Sequence, residues 1–213
     1  MKKHNAVIFD LDGVICFTDK YHYLAWKSMA DELGIPFDEQ VNDRLRGVSR
    51  MASLEIILEK SDKKYTQNEK EEIAEKKNNT YREYLKTMSE ADLPADVDET
   101  LKELKNRGYK LAIGSSSKNA KTILERLGLA DFFDAVSDGT NISRSKPDPE
   151  VFLKAAQFLG EAPQNCLVVE DAASGIDAAS AGGFDSAGLG EAAKSSKCTY
   201  PLQSIKDLLC IEP

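Results

Sequence analysis

The sequence predicts an α/β protein: a parallel sheet covered by helices on both faces, with an all-helical insertion directly after the first strand. Three observations predict it. Short apolar runs recur without polar alternation, as in strands buried on both faces. Helical patterns lie between the later runs and stop at glycine, a residue suited to a left-handed C-cap. Residues 18 to 88, by contrast, hold no strand-like run.

Ala6–Phe9 reads as the first strand. In the insertion, Leu24, Ala25, Met29 and Leu33 recur at helical spacing with Trp26 beside them, and Val41 and Leu45 follow, ending at Gly47. Ser49 caps a helix carrying Leu54, Ile57 and Leu58. Thr66 and Glu69 form a capping box that opens a long helix with Ile73, Tyr81, Leu85 and Met88. A four-helix cap domain over 18–88 is therefore expected on a core made of 1–17 and 89–213. In the core, strands are expected at Leu111–Gly114, Ala135–Ser137, Leu167–Val169 and Ser186–Leu189. The helices among them carry Val97, Leu101 and Leu104 before Gly108, then Ile123, Leu124 and Leu127 before Gly128, then Val151–Leu159 before Gly160. Such alternation gives parallel strands joined by right-handed crossovers.

With 213 residues the chain suffices for one good-sized domain and a smaller insertion. A formal charge of −8 argues against nucleic-acid or anionic-membrane partners, so an anionic ligand needs local positive charge or a metal. The N-terminal apolar stretches are too short for a signal-peptide core or a membrane span. Cys16, Cys166, Cys198 and Cys210 form no CxxC pair, and His4 and His22 are the only histidines available to a zinc site. Reduced structural thiols in a cytoplasmic protein are expected, with Cys166 in the core.

In an open parallel sheet, ligands bind outside the carboxyl ends of the strands. Asp10 and Asp12 stand at the mouth of the first strand, and read alone they fit an ordinary turn. The other mouths point further. "GSSSKN" brings Ser115, Ser116, Ser117, Lys118 and Asn119; "SKPDP" brings Lys146; "VVED" brings Glu170 and Asp171. Clustered carboxylates need a cation, and oxygen donors without imidazole or thiolate point to Mg²⁺. Lysine and serine hydroxyls suit phosphate oxygens, as do backbone N–H groups where a helix starts after "SSSKN". Asp10 is then placed to attack phosphorus as a carboxylate, and Asp12 to serve as acid and base for an alcohol oxygen.

"FDLDG", "SSSKN", "SKPDP" and "VVED" stand in the order of the four motifs of the haloacid dehalogenase (HAD) superfamily, whose phosphotransferases the chain resembles. The insertion matches the small-helical-cap subclass. Within it the chain is similar to the β-phosphoglucomutase family, through "YHYLAWKSMADELGI" (Tyr21–Ile35), "LRGVSRMASLEIIL" (Leu45–Leu58) and "KKNNTY" (Lys76–Tyr81).

The resemblance implies a Rossmann-like, HAD-like core and an isomerase acting on small phosphosugars, and a monomer is expected. The reaction implied is interconversion of β-D-glucose 1-phosphate and D-glucose 6-phosphate through an aspartyl-phosphate enzyme and glucose 1,6-bisphosphate. It implies Asp10 as nucleophile and Asp12 as acid–base, with Mg²⁺ on Asp10, the Asp12 carbonyl, Glu170 and Asp171. Ser115 and Lys146 would hold the transferring phosphate, and Arg50, Ser117, Lys118 and Asn119 the other. Leu11, His22, Trp26, Gly47, Val48, Ser49, Ser53, Lys77, Asn78, Ser116 and Pro147 complete the implied substrate contacts. Cys16–Phe17 replaces the polar pair expected after "DGVI", and the tail from about Ala187 matches only weakly.

Some of these residues have plainer readings. Lys77, on the apolar stripe of its helix, reads alone as a lysine snorkelling to solvent. Trp26 reads as core and His22, four positions earlier, as a satisfied hydrogen bonder. Arg50 reads as a solvated first-turn residue, although a cation there opposes the helix dipole and a bound anion explains it better. Mutase is the leading function because a bisphosphate needs two anion sites, and Arg50 with Lys118 supplies the second. A HAD-type sugar-phosphate phosphatase with the same Asp10–Asp12 pair is the alternative. A non-catalytic phosphosugar-binding protein would need no nucleophile beside an acid–base.

Overall fold

The computed structural model describes residues 4–45 and 48–211. They divide into two units, Thr18–Met88 and the pair of segments Met1–Phe17 and Ser89–Pro213.

The Thr18–Met88 unit is built from α1 (Asp19–Leu33), α2 (Glu39–Asp43), α3 (Arg50–Leu58) and α4 (Gln67–Leu85). The starts of α2, α3 and α4 follow from side-chain caps. The Asp38 carboxylate accepts the Val41 N–H, the Ser49 hydroxyl accepts that of Ala52, and Thr66 and Glu69 close the capping box. α1 turns Ala25, Trp26, Met29 and Ala30 inward, so Leu24, expected on that stripe, is instead 44% exposed. Trp26, Met29, Phe37, Val41, Leu54 and Ile57 form the unit's core. α2 ends at Asp43, so Leu45 packs from outside the helix, and Gly47 lies outside the described residues. α4 stops at Leu85, short of the buried Met88.

The other unit holds a six-stranded sheet of β1 (Ala6–Phe9), β2 (Lys110–Gly114), β3 (Ala135–Ser137), β4 (Cys166–Glu170), β5 (Asp185–Gly188) and β6 (Tyr200–Pro201), in the order β3-β2-β1-β4-β5-β6. Each neighbouring pair is parallel. The helices are α5 (Ala95–Asn106), α6 (Ala120–Arg126), α7 (Glu150–Leu159), α8 (Ala173–Ala181) and α9 (Leu208–Ile211). Ala6 and Ile8 of β1 join Ala112 and Val168 from its neighbours in a cluster with Phe152, Ala155 and Ala156 of α7 and Ala178 and Ala179 of α8. The alternate residues Val7 and Phe9 point to the opposite face, where Phe9 meets Phe133 edge-on.

β5 lies one residue earlier than expected. β6, α8 and α9 have no counterpart in the sequence reading; α8 is hidden there because "ASGIDAASA" buries small residues around one large one and shows little apolar periodicity. β1 pairs with β2 on one side and β4 on the other, so the strand order reverses there. That places the ligand crevice of an open parallel sheet at the carboxyl ends of β1 and β4. Among the described residues no helix is long and apolar enough to cross a membrane.

Candidate active site

Phe9 lies level with Val169, so Asp10, just past β1, stands beside Glu170, the last residue of β4, and the Asp10 N–H bonds the Val169 carbonyl at 2.9 Å. Asp171 is the next residue. One carboxylate oxygen from each of Asp10, Glu170 and Asp171 lies within 4.8 Å of the others. Lys146 enters this cluster and donates to Asp10 Oδ1 and, at 2.5 Å, to Glu170 Oε1. Glu170 Oε2 accepts the N–H groups of Asp171 (3.0 Å) and Ala172 (2.9 Å).

The charges bear on one another strongly. Burial pulls the Lys146 ammonium down, but Asp10 and Glu170 outweigh it and hold the pKa above lysine's ordinary value. Burial and the Asp10 charge push Glu170 up against the pull of Lys146. Asp171 is raised to about 7, by burial first and then by Asp10 and Glu170.

Two glycines make room for the carboxylates. Gly13 has φ +93°, and a Cβ there would lie 2.1 Å from Asp171 Oδ2. A Cβ on Gly175 would lie 1.9 Å from the Glu170 carboxylate. Gly175→Ala is expected to displace Glu170 and weaken Mg²⁺ binding by about tenfold or more, measured by titration calorimetry, with secondary structure unchanged by circular dichroism.

Asp12, partly exposed, sits in a tight loop. The Leu11 carbonyl accepts the Ile15 and Cys16 N–H groups at 2.9 and 3.1 Å, and the Cys16 carbonyl accepts that of Gly13 at 2.7 Å. Leu11 and Cys16 are fully buried, whereas Phe17 is 63% exposed. Burial, followed by Asp12 and Asp10, raises the Cys16 thiol pKa far above its usual value.

After β2 the serine-rich segment forms a turn, and α6 begins only at Ala120. Ser115 Oγ accepts the Ser117 N–H at 3.1 Å and Ser117 Oγ that of Asn119 at 3.2 Å. The backbone donors expected at a helix start are thus partly engaged by hydroxyls. Ser115 and Asn119 are buried and Lys118 is exposed. Ser116 Oγ is buried without a hydrogen-bond partner among the described residues. The Lys146–Pro147 peptide bond is cis, and Pro147 is exposed.

The Thr18–Met88 unit carries its own polar group. Lys77 does not snorkel: it is 3% exposed, with Nζ 2.9 Å from His22 Nδ1 and 4.5 and 4.9 Å from the ring centroids of Trp26 and Tyr81. Aromatic faces and an imidazole lone pair replace water around the ammonium. The His22 ring stacks on Tyr81 at 4.0 Å. Removal from water, then the charges of Lys77 and Arg50, hold its pKa well below the ordinary histidine value.

Arg50 is likewise not a solvated residue. Its side chain is 25% exposed and its Nη1 donates to Glu75 Oε2 at 3.2 Å. Burial lowers its pKa against the opposing pull of Glu75. Ser53 and Asn78 are buried, while Val48 and Ser49 are exposed. Tyr81, Glu75, Ala172, Gly13 and Gly175 were not singled out from the sequence. Tyr81 carried one usable signal, its place four residues after Lys77 on the same helical face.

Residues 4–183 match the family model of haloacid dehalogenase-like hydrolases. Over 188 residues the chain is 44% identical to the β-phosphoglucomutase of Bacillus subtilis (strain 168), covering 87% of this chain and 83% of that protein. It is 34% identical over 186 residues to the fructose-1-phosphate phosphatase YqaB of Escherichia coli (strain K12), covering 86% and 95%. The crystal structure of the β-phosphoglucomutase of Clostridium difficile is similar at a TM-score of 0.88 and 40% identity, covering 96% of this chain and 93% of that one. With its carboxylates, serines and lysine gathered at the mouths of a parallel sheet, the chain belongs to the haloacid dehalogenase-like hydrolase family.

Proposed function

We propose that the chain is a β-phosphoglucomutase, interconverting β-D-glucose 1-phosphate and D-glucose 6-phosphate through an aspartyl-phosphate enzyme and glucose 1,6-bisphosphate. The observation that carries this choice over a phosphatase is Arg50. Its guanidinium is largely withdrawn from water, and its hydrogen-bond partner among the described residues is an exposed carboxylate at 3.2 Å. A desolvated cation so loosely held is suited to a second anion, which a bisphosphate supplies. The higher identity to a β-phosphoglucomutase than to a sugar-phosphate phosphatase supports the same reading. The test is to incubate the protein with β-glucose 1-phosphate, Mg²⁺ and a trace of glucose 1,6-bisphosphate, following glucose 6-phosphate and free phosphate together. Isomerisation should far exceed phosphate release; the reverse ratio would give the phosphatase.

The donor set fits Mg²⁺. Three carboxylate oxygens converge within 4.8 Å, and burial, then the charges of Asp10 and Glu170, pushes Asp171 up to about 7 despite Lys146. Asp10, the Asp12 carbonyl, Glu170 and Asp171 would hold the ion, which when bound neutralises charge on the carboxylates and on a phosphoryl group. Lys146 and the Ser115 hydroxyl donate to the phosphoryl oxygens. The O6 hydroxyl of β-glucose 1-phosphate attacks the phosphoaspartate as Asp12 takes its proton, which gives the bisphosphate and frees Asp10. After the bisphosphate turns over, Asp10 attacks the phosphorus at C1, and Asp12 returns the proton to the departing O1. The Thr18–Met88 unit would act as the cap, with Arg50, Ser117, Lys118 and Asn119 on the phosphate that is not being transferred. We propose a monomeric cytoplasmic enzyme for small phosphosugars.

The raised Asp171 makes Mg²⁺ and protons compete. Its pKa in the folded protein, about 7, exceeds the ordinary 3.8, so the Asp171 contribution to metal-free stability is full below the unfolded value and is lost as pH rises through 7. Mg²⁺ affinity should therefore tighten up to about pH 8, and binding near pH 6 should release close to one proton. Calorimetry in two buffers of different ionisation enthalpy reads this directly.

Arg50→Ala should lower mutase kcat/KM by about two orders of magnitude, the loss of a charge-assisted contact, while phosphorylation of Asp10 by acetyl phosphate persists. Free phosphate released per sugar isomerised should rise.

A further inference from the structure

Residues 138–149, between β3 and α7, form no helix or strand, yet Lys146 projects from this loop into the carboxylate cluster. Something other than a backbone ladder must set its position. The structure shows what does. Glu150, the first residue of α7, accepts the Ser143 N–H at 3.1 Å with both oxygens. Its Oε2 also takes the Ser143 hydroxyl at 2.8 Å and the Arg144 N–H at 2.9 Å. Lys154, one turn along α7, pairs with Oε1 at 2.9 Å and donates to the Asn141 carbonyl.

Asp148 closes the far side. Its Oδ1 accepts the Glu150 N–H at 3.0 Å, its N–H bonds the Ser145 carbonyl at 3.1 Å, and Arg144 reaches it at 3.1 Å. Lys146 thus stands at the apex of a loop whose two feet converge on the start of α7. That start is fixed in turn, because Val151 and Phe152 are wholly buried against the sheet. Lys146 Nζ lies 4.6 Å from the Phe152 ring centroid. The same donors, Lys154 first and then Ser143, hold the Glu150 carboxyl down at about 2, so it is ionised throughout the working range.

We infer that Glu150 is the positioning residue of Lys146: by tying the Ser143 and Arg144 backbone to the start of α7, it sets the reach of the ammonium onto Asp10 and Glu170. What Lys146 then does for phosphoryl transfer rests on the mutase reading, but the positioning itself does not.

The experiment compares Glu150→Ala, Lys146→Ala and the double variant by three readouts that use no sugar. These are acylation of Lys146 by acetic anhydride followed by peptide mass spectrometry, phosphorylation of Asp10 by acetyl phosphate, and the Mg²⁺ Kd. In Glu150→Ala, Lys146 acylation should rise and Asp10 phosphorylation fall, each by about tenfold or more. Mg²⁺ binding should be unchanged or tighter, since an ammonium leaves the carboxylates. A loss of fold alone would weaken it. Added to Lys146→Ala, the Glu150 change should alter phosphorylation by less than about twofold, because the two act through one group. Glu150→Gln keeps one acceptor oxygen and should restore part of each effect; it also replaces the Ala variant if that fails to fold. The inference is overturned if Lys146 stays protected in the variants, if the two effects multiply, or if Mg²⁺ affinity falls along with phosphorylation. Absence of sugar isomerisation would overturn the mutase reading and leave these readouts intact.

Discussion

Asp10→Asn should form no phosphoenzyme from acetyl phosphate and should lower sugar isomerisation by about four orders of magnitude or more. The amide matches the carboxylate in shape but is too weak a nucleophile to displace at phosphorus. The fold should survive the change. The Asp10 N–H keeps its 2.9 Å bond to Val169, and the amide can turn its oxygen toward Lys146 and its NH₂ toward the remaining carboxylates. Because Asp10 is among the charges that raise Asp171, the Asp171 carboxyl should drop toward its ordinary value in the variant. Acid-quenched incorporation of labelled phosphate, read with a thermal melt, separates loss of chemistry from loss of fold. Full turnover by the Asn variant would rule out the aspartyl-phosphate mechanism.

Asp12→Asn should reduce sugar turnover by about a hundredfold or more, the ordinary loss on removing a general acid–base, with Mg²⁺ affinity nearly unchanged. The carboxylates that converge closely enough to hold a metal, among the described residues, are Asp10, Glu170 and Asp171, without the Asp12 side chain. The proposed Asp12 ligand is its backbone carbonyl, in a loop tied by the Leu11 and Cys16 carbonyls, which the substitution leaves alone. The leaving group provides a sharper criterion. Acetate departs from acetyl phosphate without needing a proton, so phosphorylation by that donor should persist. Departure of a sugar oxygen does need one, so phosphorylation by glucose 1,6-bisphosphate should be slow. If the variant loses Mg²⁺ as severely as Asp171→Asn, the proposed division of roles is wrong.

Several readings from the residues turn on where a side chain ends. Lys77 sits on an apolar stripe, and sequence favoured solvent for its ammonium. The folded chain instead surrounds it with Trp26, Tyr81 and His22, from two helices. Arg50 opens α3 at a place where a cation gains nothing from the dipole, and that misfit was the sequence's argument for the anion proposed there. α8 escaped notice for the opposite reason, since small residues packed against Phe184 and the sheet leave no periodic signal.

By itself the sequence determined the strands at Ala6–Phe9 and Ala135–Ser137, the capping box at Thr66, and which four mouths carry carboxylates, serines and lysine. Those features are encoded locally, in apolar runs, caps and the residue that follows each strand. Only the tertiary structure decided that Lys146 bridges Asp10, 136 positions away, and Glu170. It alone showed that Gly175 is the space a carboxylate occupies and that Glu150 anchors the loop bearing the lysine. These depend on directions in which side chains leave backbones brought together from distant parts of the chain, and no spacing within one segment records such directions.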